Sequence, residues 1–93
     1  MVFVVERYLP GLDKDALAQS LDQLERAVAR MRAEGMEIRY LGSTIVPGDE
    51  ACFCQFEARS EADVAEANRR AGIGFDRIVD AITTPAPPRE EER

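Results

Sequence analysis

Apolar residues three or four positions apart mark one long segment of the chain as an amphipathic helix. The apolar stripe consists of Leu17, Leu21, Leu24, Val28 and Met31. Asp13 or Asp15 suits the N-terminus of this helix, where a side-chain oxygen can accept from free backbone amides, and Gly35 suits a left-handed C-terminal cap. We therefore expect a helix from about residue 13 to residue 34.

A second, shorter helix is indicated by a capping box. Ser60 is followed by Asp63 at the spacing in which the two residues satisfy the free amides of a first helical turn. Arg69 and Arg70 suit the negative end of the helix dipole, and Gly72 suits the end of the helix. Four segments rich in β-branched and aromatic residues predict strands. They are residues 2–9, 36–46, 51–58 and 75–82.

The order of these elements is strand, helix, strand, strand, helix, strand. This order predicts an α+β fold of the ferredoxin-like βαββαβ kind, with a four-stranded antiparallel sheet and two helices on one face. Right-handed crossovers place the first and third strands in the centre of the sheet. We expect one domain over residues 1–82, followed by a disordered tail over residues 83–93, which has no apolar period.

Alternation along the third strand places Cys52, Cys54, Phe56 and Ala58 on one apolar face, which we expect to lie under the helices. The opposite face also carries apolar residues. They are Val2, Val4, Leu41, Ile45, Phe53 and Val79. Two helices can cover only one face, and strands that are apolar on both sides are usually buried on both sides. A symmetric copy of the same chain is the simplest partner, so we expect a homodimer.

Polar residues share the second face and form the candidate ligand-binding set. The set is Glu6, Tyr8, Arg39, Gln55, Glu57 and Arg77. Strand order places Arg39 near Glu57, and Arg77 near Glu6 or Tyr8. These residues form either simple cross-strand ion pairs or a polar cleft that binds a small ligand or cation. A register slip would bring Arg7 or Asp80 to this face instead.

Charge and composition exclude several classes of function. The chain has 93 residues and a net charge of −6, which disfavours binding to nucleic acid or to a membrane surface. Histidine is absent, so the commonest general base and the commonest transition-metal ligand are both missing. No apolar run approaches the roughly 18 residues of a membrane span. We expect a cytoplasmic protein.

The two cysteines, Cys52 and Cys54, stand two positions apart in the third predicted strand. At the rise of a strand their backbones are about 6.5 Å apart, near the upper limit for a disulfide, so reduced thiols are expected. A soft-metal pair and a redox site are both conceivable for such a motif. Without a second pair or a histidine, the pattern favours two small buried hydrophobic residues.

Several stretches together resemble a family of small bacterial proteins known as a domain of unknown function. They are Val5–Gly11, Tyr40–Ser43 with Val46–Pro47, Phe53–Ala58 and Glu66–Val79. That family is similar to a characterised nickel-binding protein, and the resemblance implies a ferredoxin-like fold, a homodimer and a role for a metal. At matching positions the chain offers Glu6, Glu57 and Cys54 as metal candidates, together with Tyr8.

Three functional hypotheses remain. The first is a non-enzymatic homodimer that binds a small ligand or a divalent cation, nickel among the candidates. The second is an enzyme of the dimeric α+β barrel kind, similar to small monooxygenases or isomerases, with Glu6 or Glu57 as the general base. The third is an interaction module without a ligand. No Walker loop, GxSxG or HExxH motif occurs.

Overall fold

Residues 1–88 are described by the computed structural model, in which strands and helices follow one another in the predicted order. The elements are β1 (Val2–Tyr8), α1 (Lys14–Ala33), β2 (Ile38–Val46), β3 (Ala51–Ala58), α2 (Glu61–Ala71) and β4 (Arg77–Ala81). The strands form one antiparallel sheet in the order β2-β3-β1-β4, with both helices on one face. The predicted ferredoxin-like α+β fold is confirmed, including the central position of the first and third strands.

Both helices begin at the predicted capping residues. The Asp13 carboxylate accepts from the amides of Asp15 and Ala16, and the Ser60 hydroxyl accepts from the amide of Asp63. Each of these bonds satisfies amides that have no partner within the helix. The helix α2 ends at Gly72, whose φ of 70° lies in the left-handed region.

Substitution of Gly72 with alanine is expected to lower the free energy of unfolding by about 1 kcal/mol, because a Cβ disfavours the left-handed conformation. No heavy atom lies within 4 Å of an added Cβ there, so the effect comes from backbone strain alone. Urea denaturation measures it. Gly48 is the control, because it has equal space and no positive φ, and Gly48→Ala should change stability by less than about 0.5 kcal/mol. Equal losses at both positions would contradict the explanation.

Arg70 joins the two helices through ion pairs. Its guanidinium donates two hydrogen bonds of 2.9 Å to the carboxylate of Glu34, at the end of α1, and one of 2.8 Å to Glu66 within α2. Arg69 also donates to Glu66. Hydrogen bonds from Arg69 and Arg70 lower the pKa of the Glu66 carboxyl from 4.5 to about 2. The Arg70 hydrogen bonds also lower the pKa of Glu34.

Acid is therefore expected to weaken the ion pairs that Glu66 makes with Arg69 and Arg70 within α2. Since the folded-state pKa of Glu66 is lower than its pKa in the unfolded chain, its contribution to stability is complete above about pH 4.5 and is lost towards pH 2. The variant Glu66→Gln should show a flatter decline of the thermal midpoint between pH 5 and pH 2. Glu25→Gln, on the exposed side of α1, should keep the wild-type decline. Parallel curves for Glu66→Gln and the wild-type protein would refute this role.

The core lies between the sheet and the two helices. In β1 the residues alternate, with Phe3, Val5 and Arg7 buried, so the predicted register of this strand is confirmed. The other core residues are Leu17, Leu24, Val28, Met31, Ile38, Cys52, Cys54, Phe56, Ala58, Val64 and Ala67.

A β-bulge in β2 corrects one predicted position. The register with β3 shifts between Tyr40 and Gly42, so that Ile45 pairs with Cys52. Residues that pair directly across an antiparallel ladder share a face, so Ile45 lies on the helix side rather than on the second face. The prediction for Ile45 was wrong because the extra residue of a bulge reverses the alternation beyond it.

The segment after β4 has no helix or strand over residues 83–88. The remainder of the predicted disordered tail, residues 89–93, lies outside the described residues, and the disorder stays a prediction. Neither α1 nor α2, the helices of residues 1–88, is long and apolar enough to cross a membrane.

Candidate functional site

The sheet face opposite the helices, called the open face below, carries all six candidate ligand-binding residues. The cross-strand partners on this face are Val2 with Glu57, Val4 with Gln55 and Val79, Glu6 with Phe53 and Arg77, Tyr8 with Ala51, and Arg39 with Glu57. Val2, Val4, Phe53 and Val79 are half-buried although no helix covers them. The open face therefore has an apolar centre with charged residues towards its ends.

Two ion pairs flank this apolar centre, as the sequence predicts. Arg77 donates a hydrogen bond of 2.9 Å to the carboxylate of Glu6, whose side chain is only 13% exposed. Arg39 lies 3.5 Å from the carboxylate of Glu57, and both side chains are about half exposed or more. The longer distance and the exposure make Glu57 the more available of the two carboxylates.

The two carboxylates are too far apart to share one ion within a single chain. Glu6 lies opposite Phe53, and Glu57 lies four residues further along β3. At the rise of a strand, four residues separate the two backbones by about 13 Å. Gln55 lies between Phe53 and Glu57 on this face of β3, and Tyr8 lies next to Glu6 on the same face of β1. The ring of Tyr8 packs edge-on against that of Phe53, with 6.5 Å between the ring centres.

Cys54, the third metal candidate, lies on the opposite side of the sheet from Glu6 and Glu57. Its side chain is fully buried under the helices, so the structure does not bring these three candidates together. Among residues 1–88, no three side chains of cysteine, aspartate or glutamate are placed to hold one metal ion. Nickel usually takes four or more nitrogen, oxygen or sulfur ligands, so the donors of one chain do not fit a nickel site.

A shallow cavity of about 550 Å³ opens at the end of the sheet beside the Arg39–Glu57 pair. Its charged lining consists of Arg32, Arg39, Arg59, Glu37 and Glu57. Three guanidinium groups against two carboxylates leave an excess of positive charge. This cavity therefore suits a small anion better than a metal ion.

Sequence reasoning missed a second polar cluster, which lies on the helix side of the sheet. Arg7 is 1% exposed, and its guanidinium donates to the carbonyl oxygen of Gly74 at 2.8 Å and to Oδ1 of Asn68 at 2.6 Å. A longer contact of 3.6 Å runs from Nη2 of Arg7 to Sγ of Cys54. Nε of Arg7 is buried without a partner.

The thiols of Cys52 and Cys54 complete this cluster, with their sulfur atoms 3.8 Å apart. The hydroxyl of Ser43 donates to Sγ of Cys54 at 2.8 Å, and the hydroxyl of Tyr40 is hydrogen-bonded to that of Ser43. Burial raises the pKa of the Cys52 thiol from 9.0 to about 11, and burial also raises the pKa of Tyr40. No disulfide joins the two cysteines in the structure, and their reduced state stays a prediction.

The signal for this cluster was present in the sequence. Arg7 has the same parity as Phe3 and Val5 in β1, and Asn68 follows Val64 by four residues on the apolar stripe of α2. A polar residue in each of two buried stripes indicates a buried polar contact between those elements. The strand pattern predicts Arg7 on the second face only after a register slip, whereas the structure buries it on the helix side with Phe3 and Val5.

Comparisons with known proteins agree with the fold. Residues 3–80 match a family model described as "Nickel responsive protein SCO4226-like". A crystal structure of SCO4226 from Streptomyces coelicolor A3(2) superposes with a TM-score of 0.71 at 21% sequence identity, over 91% of this chain and 100% of that chain. No curated protein matches the chain. The structural likeness shows a shared fold over nearly the whole domain.

Proposed function

Because the chain belongs to the SCO4226-like family of nickel responsive proteins, we propose that it is a non-enzymatic homodimer that binds a divalent cation, nickel first, between two open faces. The observation that carries this proposal is the uncovered sheet face, apolar at its centre and charged towards its ends. The family description supports nickel as the cation to test first.

Apolar surface on the open face supports the dimer. Val4 and Phe53 occupy central strands and stay half-buried without any helix above them. A two-fold partner would remove this surface from water at about 25 cal/mol per Å² of apolar area. Each open face also carries groups of both charges, carboxylates and guanidinium groups, around its apolar centre. Two identical faces can therefore be complementary in charge.

The second copy also supplies the ligands that a single chain lacks. One chain offers one available carboxylate, that of Glu57, and a two-fold axis close to it would bring the equivalent carboxylate from the partner. Two carboxylates with water fit the oxygen-rich, near-octahedral coordination that nickel accepts. Without imidazole or thiolate on this face, we expect an affinity in the micromolar range or weaker.

Titration calorimetry of the tag-free protein with nickel chloride tests the cation. A purification tag of histidines must be absent because it would itself bind nickel. We expect heat in the wild-type protein with one nickel per two chains, a loss of at least about tenfold in affinity for Glu57→Gln, and no loss for the control Glu25→Gln. Equal binding in all three proteins, or no heat in any of them, overturns the cation site.

Light scattering coupled to size exclusion tests the dimer separately. The variant Phe53→Lys places a charge in the apolar centre of the open face and should convert the dimer into a folded monomer at micromolar concentration. Gln19→Lys, which adds the same charge to the exposed side of α1, should leave the dimer intact. A wild-type protein that elutes as a well-folded monomer at these concentrations would remove the homodimer.

A small anion is a second candidate ligand, and the cavity beside Glu57 favours it. The excess of guanidinium groups there would attract a carboxylate or phosphate compound. Citrate and inorganic phosphate are suitable calorimetric probes, with Arg59→Ala expected to weaken whichever of them binds. Absence of heat with both probes at millimolar concentration would exclude this form of the proposal.

The alternative of a dimeric α+β barrel enzyme has weaker support. Its general base would be Glu6 or Glu57, and each of these carboxylates is already bound to an arginine of the neighbouring strand. An interaction module without a ligand would show an intact dimer and no heat in either titration.

A further inference from the structure

The helix side of the sheet holds a cluster of polar and thiol side chains that is separated from the open face by the sheet. We propose that Cys52 and Cys54 bind a soft monovalent cation, copper(I), as a buried two-coordinate thiolate complex whose negative charge is neutralised by Arg7. Three features of the described residues carry this proposal. They are an uncompensated buried guanidinium, a pair of thiols whose sulfur atoms are in contact, and the lack of a third cysteine, aspartate or glutamate beside them.

The guanidinium of Arg7 has an unusual environment. It is 1% exposed and always charged, yet its partners Gly74, Asn68 and Cys54 are all formally neutral. No ion pair of Arg7 with a carboxylate occurs among residues 1–88. A buried charge without a counter-charge is unfavourable in a medium of low dielectric constant. The groups beside Arg7 that can become anions are the two thiols.

The charges of the two thiolates and of Arg7 favour a monovalent cation. Two thiolates and one monovalent cation form a complex of charge −1, which the charge of +1 on Arg7 cancels. A divalent cation between the same thiolates would leave a net buried charge of +1. A disulfide between Cys52 and Cys54 would leave the same charge, and it would need the sulfur atoms to approach from 3.8 Å to about 2.05 Å within one strand.

The number of ligands at this site also favours copper(I). Zinc and nickel need about four ligands, and this site has two sulfur donors and no third acidic or thiol side chain. Copper(I) is soft, prefers thiolate and accepts low coordination numbers. Two-coordinate copper(I) is close to linear. With the zinc–sulfur bond length of about 2.3 Å as a guide, its two sulfur atoms would be at most about 4.6 Å apart, so the thiols, now 3.8 Å apart, would have to separate by less than about 1 Å.

Hydrogen-bond donors near the two sulfur atoms can stabilise a pair of thiolates. The Ser43 hydroxyl already donates to Sγ of Cys54, and Nη2 of Arg7 lies 3.6 Å from the same atom. On binding, each thiol loses its proton to solvent, one copper–sulfur bond forms at each sulfur, and no electron is transferred. Ser43 and Tyr40 belong to the edge strand β2 and are half-buried, so the cluster reaches the surface of the protein at this edge.

An anaerobic titration of the reduced, tag-free protein with copper(I) against the chelator bicinchoninate tests the site. We expect one copper(I) per chain, an ultraviolet thiolate-to-copper charge-transfer band, and X-ray absorption showing two sulfur neighbours. Cys52→Ala and Cys54→Ala should each lose this copper, whereas Glu57→Gln should keep it. Nickel binding should show the opposite dependence on these variants, so failure of the nickel proposal and failure of this one are distinguishable.

A substitution of Arg7 tests its role in copper(I) binding. Arg7→Met removes the charge, keeps most of the volume, and should weaken copper(I) binding about 10-fold to 100-fold, as loss of an outer partner does at other metal sites. Wild-type measurements decide the matter even if a cysteine or Arg7 variant does not fold. The proposal is overturned if bicinchoninate removes copper(I) from the wild-type protein completely. It is also overturned if X-ray absorption shows nitrogen or oxygen neighbours, or if zinc displaces the copper.

Discussion

Replacement of Arg7 with alanine is expected to lower the free energy of unfolding by about 3 kcal/mol, among the largest single effects in the chain. The substitution leaves Oδ1 of Asn68 without its donor in a fully buried position and opens a cavity below α2. The carbonyl oxygen of Gly74 loses its hydrogen bond as well. Urea denaturation followed by far-ultraviolet circular dichroism measures the loss.

Arg39→Ala is the control, because this arginine is exposed and makes only a long surface ion pair. It should change stability by no more than about 0.5 kcal/mol. The double variant Arg7→Met with Asn68→Leu removes both polar partners and fills the space, so it should be more stable than Arg7→Ala. If Arg7→Ala were as stable as Arg39→Ala, the buried cluster would have no structural role.

The elements of the fold were predictable because each has a local cause. The stripe of α1, the capping box at Ser60 and the left-handed glycine at residue 72 are set by neighbouring residues in the chain. Their order then admits few packings, since right-handed crossovers place β1 and β3 in the centre. The same parity placed Arg39 beside Glu57 and Arg77 beside Glu6.

The features that were not predicted depend on contacts between distant segments. The bulge near Leu41 is set by the pairing of β2 with β3, and without it Ile45 has the opposite parity. The buried cluster joins Arg7 to Asn68, which lies 61 residues away along the chain. Local pattern can indicate that each residue is buried, but only the packing of α2 on the sheet makes them partners.

The two faces of the sheet thus differ in the chemistry they offer. The open face has exposed carboxylates and arginines, which suit hard or borderline cations and small anions at a wet interface. The helix side has two dry thiols beside a cation, which suits a soft monovalent metal. Because one sheet separates them, a substitution at Glu57 and one at Cys54 should act independently.

Replacement of Phe56 with alanine is expected to lower the free energy of unfolding by about 3–5 kcal/mol, the range found for buried phenylalanines. Phe56 is fully buried in the central strand β3 and packs against the ring of Tyr40 at 5.3 Å between ring centres. Its removal leaves a cavity between the sheet and α1, and Tyr40 loses its main aromatic contact. Thermal and urea denaturation measure the loss, and tyrosine fluorescence reports the altered environment of Tyr40.

Phe75→Ala removes the same atoms from a residue that is 40% exposed before β4, so it separates burial from side-chain size. We expect it to cost less than about 1.5 kcal/mol, because most of the phenylalanine transfer free energy is realised only on full burial. The difference between the two variants measures how tightly the core is closed around β3. A loss at Phe56 no larger than that at Phe75 would mean that the helices do not pack on this strand as described, and the dry thiol site next to it would then be open to water.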